Sequence, residues 1–111
     1  MKIDKQMLDH KMVWMGFQET TKGTAMLRDA VEMWHPGMML TKELYPVLAK
    51  KYGVTASIAE RRMRFAIEAA AGRGNSAMWG ETFGHSVFAA VDAPTVGEFI
   101  GRMQRVCGCD E

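Results

Sequence analysis

Apolar residues recur along this chain at intervals of three and four, the repeat of α-helices with one buried face. Leu8, Met12 and Met15 stand at i, i+4 and i+7 and predict a first helix ending near Gly16. Leu27, Ala30, Val31 and Trp34 predict a second, stopped by His35-Pro36-Gly37. Leu44, Leu48 and Tyr52 share a face of a third, which Thr41 can cap and Gly53 breaks. Pro46 is tolerated there within a first turn, where its missing N–H leaves no bond unmade. A fourth helix begins near Thr55, runs to about Ala71 and closes on Gly72-Arg73-Gly74, a glycine-rich C-cap. Its start is open by two residues, because Ser57 and Glu60 also fit an S-x-x-E capping box. A short fifth helix covers roughly 76–83, with Gly84 at its end. Pro94-Thr95 opens a sixth, in which Thr95 and Glu98 form a capping box and Val96, Phe99, Ile100, Met103 and Cys107 mark the buried stripe. Residues 85–91 have an extended character with no second strand to pair with. The pattern predicts one all-α domain over residues 1–111, a compact bundle of about six helices with a helix-turn-helix at about 42–71.

Composition narrows the class. The chain has 111 residues, 48% of them hydrophobic and 24% charged, enough for a single core and far from disordered, collagen-like or disulfide-dependent chains. Its 11 methionines read as unbranched filler between helices. Net charge is only +1, but it is polarised. Residues 1–40 balance, residues 41–74 carry seven basic and three acidic side chains, and residues 75–111 carry two basic and five acidic. The central basic block points to an anionic partner. The N-terminus alternates charged and apolar residues and lacks an export signal, and no apolar run approaches the ~20 residues that span a bilayer. The expectation is a cytoplasmic protein, not bound to membrane, with Cys107 and Cys109 reduced.

The basic block coincides with the helix-turn-helix. Ala49 followed four residues later by Gly53 suits such a unit, since a small residue allows close helix approach and glycine a sharp turn. On the next helix Ala59, Met63, Ala66, Ile67 and Ala70 form an apolar stripe, and Ser57, Glu60, Arg61, Arg64 and Glu68 lie opposite. A row of hydroxyl, carboxylate and guanidinium groups near the N-terminal half is what a recognition helix offers to the major groove. The arginine fork matches guanine O6 and N7, and a carboxylate can accept from cytosine N4. Lys50, Lys51 and Arg73, with helix N-terminal amides, are candidates for phosphates. The same pattern also describes a solvated, salt-bridged face, because Glu60 and Arg64 at i, i+4 can simply pair.

Residues Thr41-Lys42-Glu43-Leu44-Tyr45-Pro46-Val47-Leu48-Ala49-Lys50-Lys51-Tyr52, then Thr55-Ala56-Ser57, Glu60-Arg61, Arg64 and Ala66-Ile67-Glu68, add a sharper clue. With Lys22-Gly23, Leu27-Arg28-Asp29-Ala30, Arg73-Gly74-Asn75, Phe83-Gly84, Pro94-Thr95 and Glu98-Phe99-Ile100, this sequence resembles the C-terminal DNA-binding domain of the sporulation response regulators of spore-forming Firmicutes. The resemblance covers roughly residues 15–106. It implies a six-helix domain whose fourth helix, about 56–71, enters the major groove of a short operator box. It also implies tandem dimers through the last helix, about 95–107, and activation or repression of transcription through RNA polymerase. By position, Glu60, Arg61 and Arg64 match the family's DNA-contacting residues, with Ser57 beside them. Arg102 and Arg105 fall on the helix used for subunit contact and polymerase response. Where the family places a guanine-reading arginine directly after the serine, this chain has Ile58, which calls for a thymine methyl or another apolar surface. Phe65 replaces a polar flank. The family's receiver domain, with its phosphoacceptor and divalent ion, finds no counterpart in the residues preceding the match, so no cofactor is expected.

Other chemistry is thin. Cys107-Gly108-Cys109 offers half of a zinc site, and His10, His35 and His85 lack ligand spacing. Gly72-Arg73-Gly74 follows a helix and lacks the Lys-Ser/Thr of a nucleotide loop. His85-Ser86 reads as a polar turn, and Trp14, Trp34 and Trp79 as core or interface anchors. The chain is not expected to be an enzyme. Two functions remain: a sequence-specific DNA-binding transcription regulator, or an interaction module that dimerises with or antagonises a full-length regulator and has lost specific DNA reading.

Overall fold

A computed structural model describes residues 2–84 and 93–109. In chain order the elements are β1 (Lys2–Ile3), α1 (Lys5–Trp14), α2 (Lys22–Met33), a π-helical turn (Leu40–Leu44) running into α3 (Tyr45–Tyr52), α4 (Ala56–Arg73), α5 (Ser76–Phe83), α6 (Val96–Cys107) and β2 (Gly108–Cys109). The architecture is all-α in character, with one small two-stranded ladder.

The predicted stripes become the core. Met26, Leu27, Ala30 and Val31 of α2, Ala59, Met63, Ala66, Ile67 and Ala70 of α4, and all five stripe residues of α6 are buried together. Phe17, Trp79, Phe83 and Phe99 form an aromatic cluster at one end, with Trp79 stacked on Phe83 at 5.5 Å. The Trp79 indole donates to the Met15 carbonyl at 2.8 Å, so its one polar group is satisfied inside the core. Gln104, buried on α6, donates to the carbonyls of Val31 and Trp34 and ties α6 to the end of α2. The α6 capping box forms as expected, with Thr95 and Glu98 each bonding the other's backbone N–H.

Several local expectations are corrected. Thr41 is not the cap: the turn is capped at Met39, two residues earlier, where the Glu43 carboxylate accepts from Met39 N–H and the Met39 carbonyl accepts from Glu43 and Leu44. The wide π turn ends where Pro46, unable to donate, enters α3. α4 continues to Arg73, and Gly74 leaves it with an ordinary φ of −83°. Gly74 serves there by its size, since a Cβ would sit 1.8 Å from the Met15 carbonyl oxygen. Trp14 is 52% exposed, its ring tilted against His10 at 6.1 Å, so it is no core anchor. β1 pairs antiparallel with β2, Lys2 opposite Cys109 and Ile3 opposite Gly108, a ladder too short to leave a hydropathy pattern. The extended reading of 85–91 and the polar turn at His85-Ser86 lie outside the described residues.

The helix-turn-helix is held by three devices. Ala49 is buried, and Gly53 takes a left-handed φ of +67° that other residues adopt only with strain. Asp29 of α2 accepts from the Tyr52 hydroxyl at 2.6 Å and from Lys51 Nζ at 2.8 Å, pinning the end of α3 to α2.

Candidate nucleic-acid interface

α4 starts at Thr55, whose hydroxyl oxygen accepts from the Ile58 N–H at 3.1 Å. The alternative box at Ser57 does not form: Ser57 lies inside α4, and Glu60 bonds Arg64. No acidic residue occupies the first turn, so the positive end of the helix dipole is uncompensated by side chains. With Ala59, Met63, Ala66 and Ala70 facing inward, Ser57, Arg61 and Arg64 are exposed on the outer side. Ile58 (36% exposed) and Phe65 (52%) lie beside them, and Val47 of α3 is half exposed as well.

Glu60 and Arg64 form the pair their spacing allows, Nε to Oε1 at 2.9 Å. The hydrogen bond and charge of Glu60 hold the Arg64 guanidinium above its ordinary pKa, with a smaller contribution from Glu68. The guanidinium also lies 5.2 Å from the Phe65 ring. Burial, and then the Glu60 charge, push the neighbouring Tyr45 phenol up, so it stays neutral. Arg64 is therefore aimed by two neighbours, whereas Arg61 is exposed and in no ion pair among the described residues.

The structure gathers Ser57, Glu60, Arg61 and Arg64 on one helix, with Lys50 exposed across the turn at the end of α3. Lys51 is engaged by Asp29 and lies 5.7 Å from the Tyr52 ring, so part of its charge is already answered. Arg73 stands apart, about 24 Å along α4 from Ser57 at about 1.5 Å per residue. Its Nε donates to the Gly16 carbonyl at 2.8 Å. Sequence reasoning passed over Arg62 as a site residue, although it sits on the flank of α4 close to Lys22 at the start of α2. The readable signal was a basic residue on the boundary between the inner and outer faces. On α6, Arg105 is exposed and Arg102 half-buried, and both border a shallow groove with Phe83 and Gly101.

Among the described residues no three His, Cys, Asp or Glu side chains are grouped to hold a metal ion, and no helix is long and apolar enough to cross a membrane. Cys107 is buried and Cys109 exposed, both as free thiols. A family model described as "Sporulation initiation factor Spo0A C terminal" matches residues 8–106.

Proposed function

The chain belongs to the family of the sporulation initiation factor Spo0A C-terminal domain, a DNA-binding domain, and from that premise we propose a sequence-specific transcription regulator. The N-terminal half of α4 enters the major groove of double-stranded DNA. The observation that carries this reading is the shared exposure of Ser57, Arg61 and Arg64 on the outer side of α4, at a helix start free of acid. Arg61 offers its free fork to guanine O6 and N7. Glu60 aims Arg64, and Ser57 with the first-turn amides meets the backbone. Lys50 adds a phosphate contact, Lys51 a weaker one because of Asp29, and Arg73 acts at the far end of the helix.

A net charge of +1 supports few phosphate contacts, so useful affinity calls for a homodimer on repeated half-sites. The α6 side carrying Arg102 and Arg105 is the proposed subunit and RNA polymerase contact. The domain works in the cytoplasm, without a cofactor and without enzymatic chemistry. Selection of bound sequences from a random duplex pool, followed by salt titration on the selected and a scrambled duplex, tests the proposal. A steep salt slope with clear preference for the selected site supports it.

Ile58 and Phe65 favour a second reading, because two exposed apolar side chains on this face suit a protein partner that antagonises a full-length regulator. Absence of duplex binding at low salt, with Arg61→Ala and Arg64→Ala both silent, selects that reading.

A further inference from the structure

The first turn of α2 and the flank of α4 border an open cavity of about 490 Å³, lined by Lys22, Thr24, Arg62 and Arg73 among others and by no Asp or Glu. Three cations with no acid between them already select for anions. Lys22 and Arg62 make no ion pair among the described residues. Arg73 uses its Nε on Gly16, which fixes the side chain at the cavity wall.

The start of α2 adds donors. Thr21 precedes the helix without a side-chain cap, and no acidic residue occupies the first turn. The N–H groups of Lys22 and Gly23 belong to the unpaired set at a helix start. Thr24 is an independent sign. It is 1% exposed, yet its hydroxyl has no hydrogen-bond partner. A buried hydroxyl without a partner keeps unspent hydrogen-bonding capacity, and Thr24 is among the residues lining this cavity. The site is also rigid: a Cβ on Gly23 would lie 2.2 Å from the Arg62 carbonyl oxygen, so α2 and α4 touch backbone to backbone there.

We propose that this cavity binds a phosphate group. Lys22, Arg62 and Arg73 supply charge, the Lys22 and Gly23 amides supply directed donors, and the Thr24 hydroxyl completes the cradle. A backbone phosphodiester beside the groove entered by α4 and a free phosphate share this chemistry. Only the first of these sources rests on the DNA reading above.

Two arms separate them. In the first, inorganic phosphate is titrated into the full chain at constant ionic strength against chloride, and backbone amide resonances are followed. Saturable shifts at Lys22 and Gly23, lost in Lys22→Gln and weakened in Thr24→Val, are expected. Thr24→Val removes no charge and keeps the side-chain shape, so its effect separates a built site from a general field. In the second arm, duplex binding is measured against salt. If the ligand is the DNA backbone, Lys22→Gln and Arg62→Gln each lower the log–log slope by about 0.9. That loss falls equally on selected and scrambled duplexes. Phosphate-dependent shifts with an unchanged slope assign the site to the free anion. Neither shifts nor a slope change, in variants that melt like the parent, overturns the proposal. Should the parent bind no duplex, the α4 reading falls and the phosphate arm alone decides the cavity.

Discussion

Arg64 donates Nε to the Glu60 carboxylate at 2.9 Å, one helical turn back on the exposed side of α4. The pair is a surface pair, so its effect on folding is small and its effect on recognition larger. Glu60→Gln should leave the melting temperature almost unchanged. It should also tighten binding to scrambled duplex and lower the preference for the selected site, both read by fluorescence anisotropy.

Arg61 and Lys51 separate recognition from folding. Arg61→Ala should cost about 1–3 kcal/mol of discrimination at one base pair while leaving thermal stability unchanged. Lys51→Ala breaks the contact to Asp29, which keeps its Tyr52 bond. Its expected signature is a modest loss of stability with sequence preference intact, checked by urea unfolding beside the binding curve.

Alkaline pH should weaken the fold through Tyr52. Burial, followed by the hydrogen bond to Asp29 and the Asp29 charge, raises its phenol well above the ordinary value. The folded state thus keeps a proton that the unfolded chain releases above about pH 10. The Tyr52 contribution is complete below that pH and fades as pH climbs toward the folded value. Urea unfolding from pH 8 to 11 should show a decline that Tyr52→Phe makes shallower, from a lower starting stability.

The two thiols should react at different rates. Cys109 is exposed, whereas Cys107 is buried and burial is the main cause raising its pKa. Folded protein at pH 8 should take up one equivalent of alkylating reagent quickly and the second only at the rate of opening. Mass spectrometry of quenched samples gives the order directly.

Gly23→Ala tests the contact between α2 and α4. The added methyl meets the Arg62 carbonyl, which belongs to a helix backbone and cannot swing aside. Overpacking of this kind costs about 1–3 kcal/mol, and denaturant midpoints should fall accordingly.

The helices were legible because each carries its own stripe and stop. Val96, Phe99, Ile100, Met103 and Cys107 needed only their spacing to be placed inward, and Gly53 only its position after α3. The outer row of Ser57, Glu60, Arg61 and Arg64 followed from the same period. What stayed hidden depends on partners distant in sequence. Nothing near Lys51 announces Asp29, and nothing near Gln104 announces Val31. Thr55 rather than Ser57 caps α4, and the Glu60 carboxylate that a box at Ser57 would need bonds Arg64 instead. Ile58 and Phe65 break the local rule that an outer face is polar, and such breaks gather where a surface meets something else.

The short ladder between Lys2–Ile3 and Gly108–Cys109 joins segments almost a full chain length apart. Closing so wide a loop carries a large entropic penalty for only a few bonds in return. This clasp should therefore be the last contact to assemble during refolding. It should also be the first to exchange its amide protons with solvent in the native protein, well before the helices between its ends release theirs.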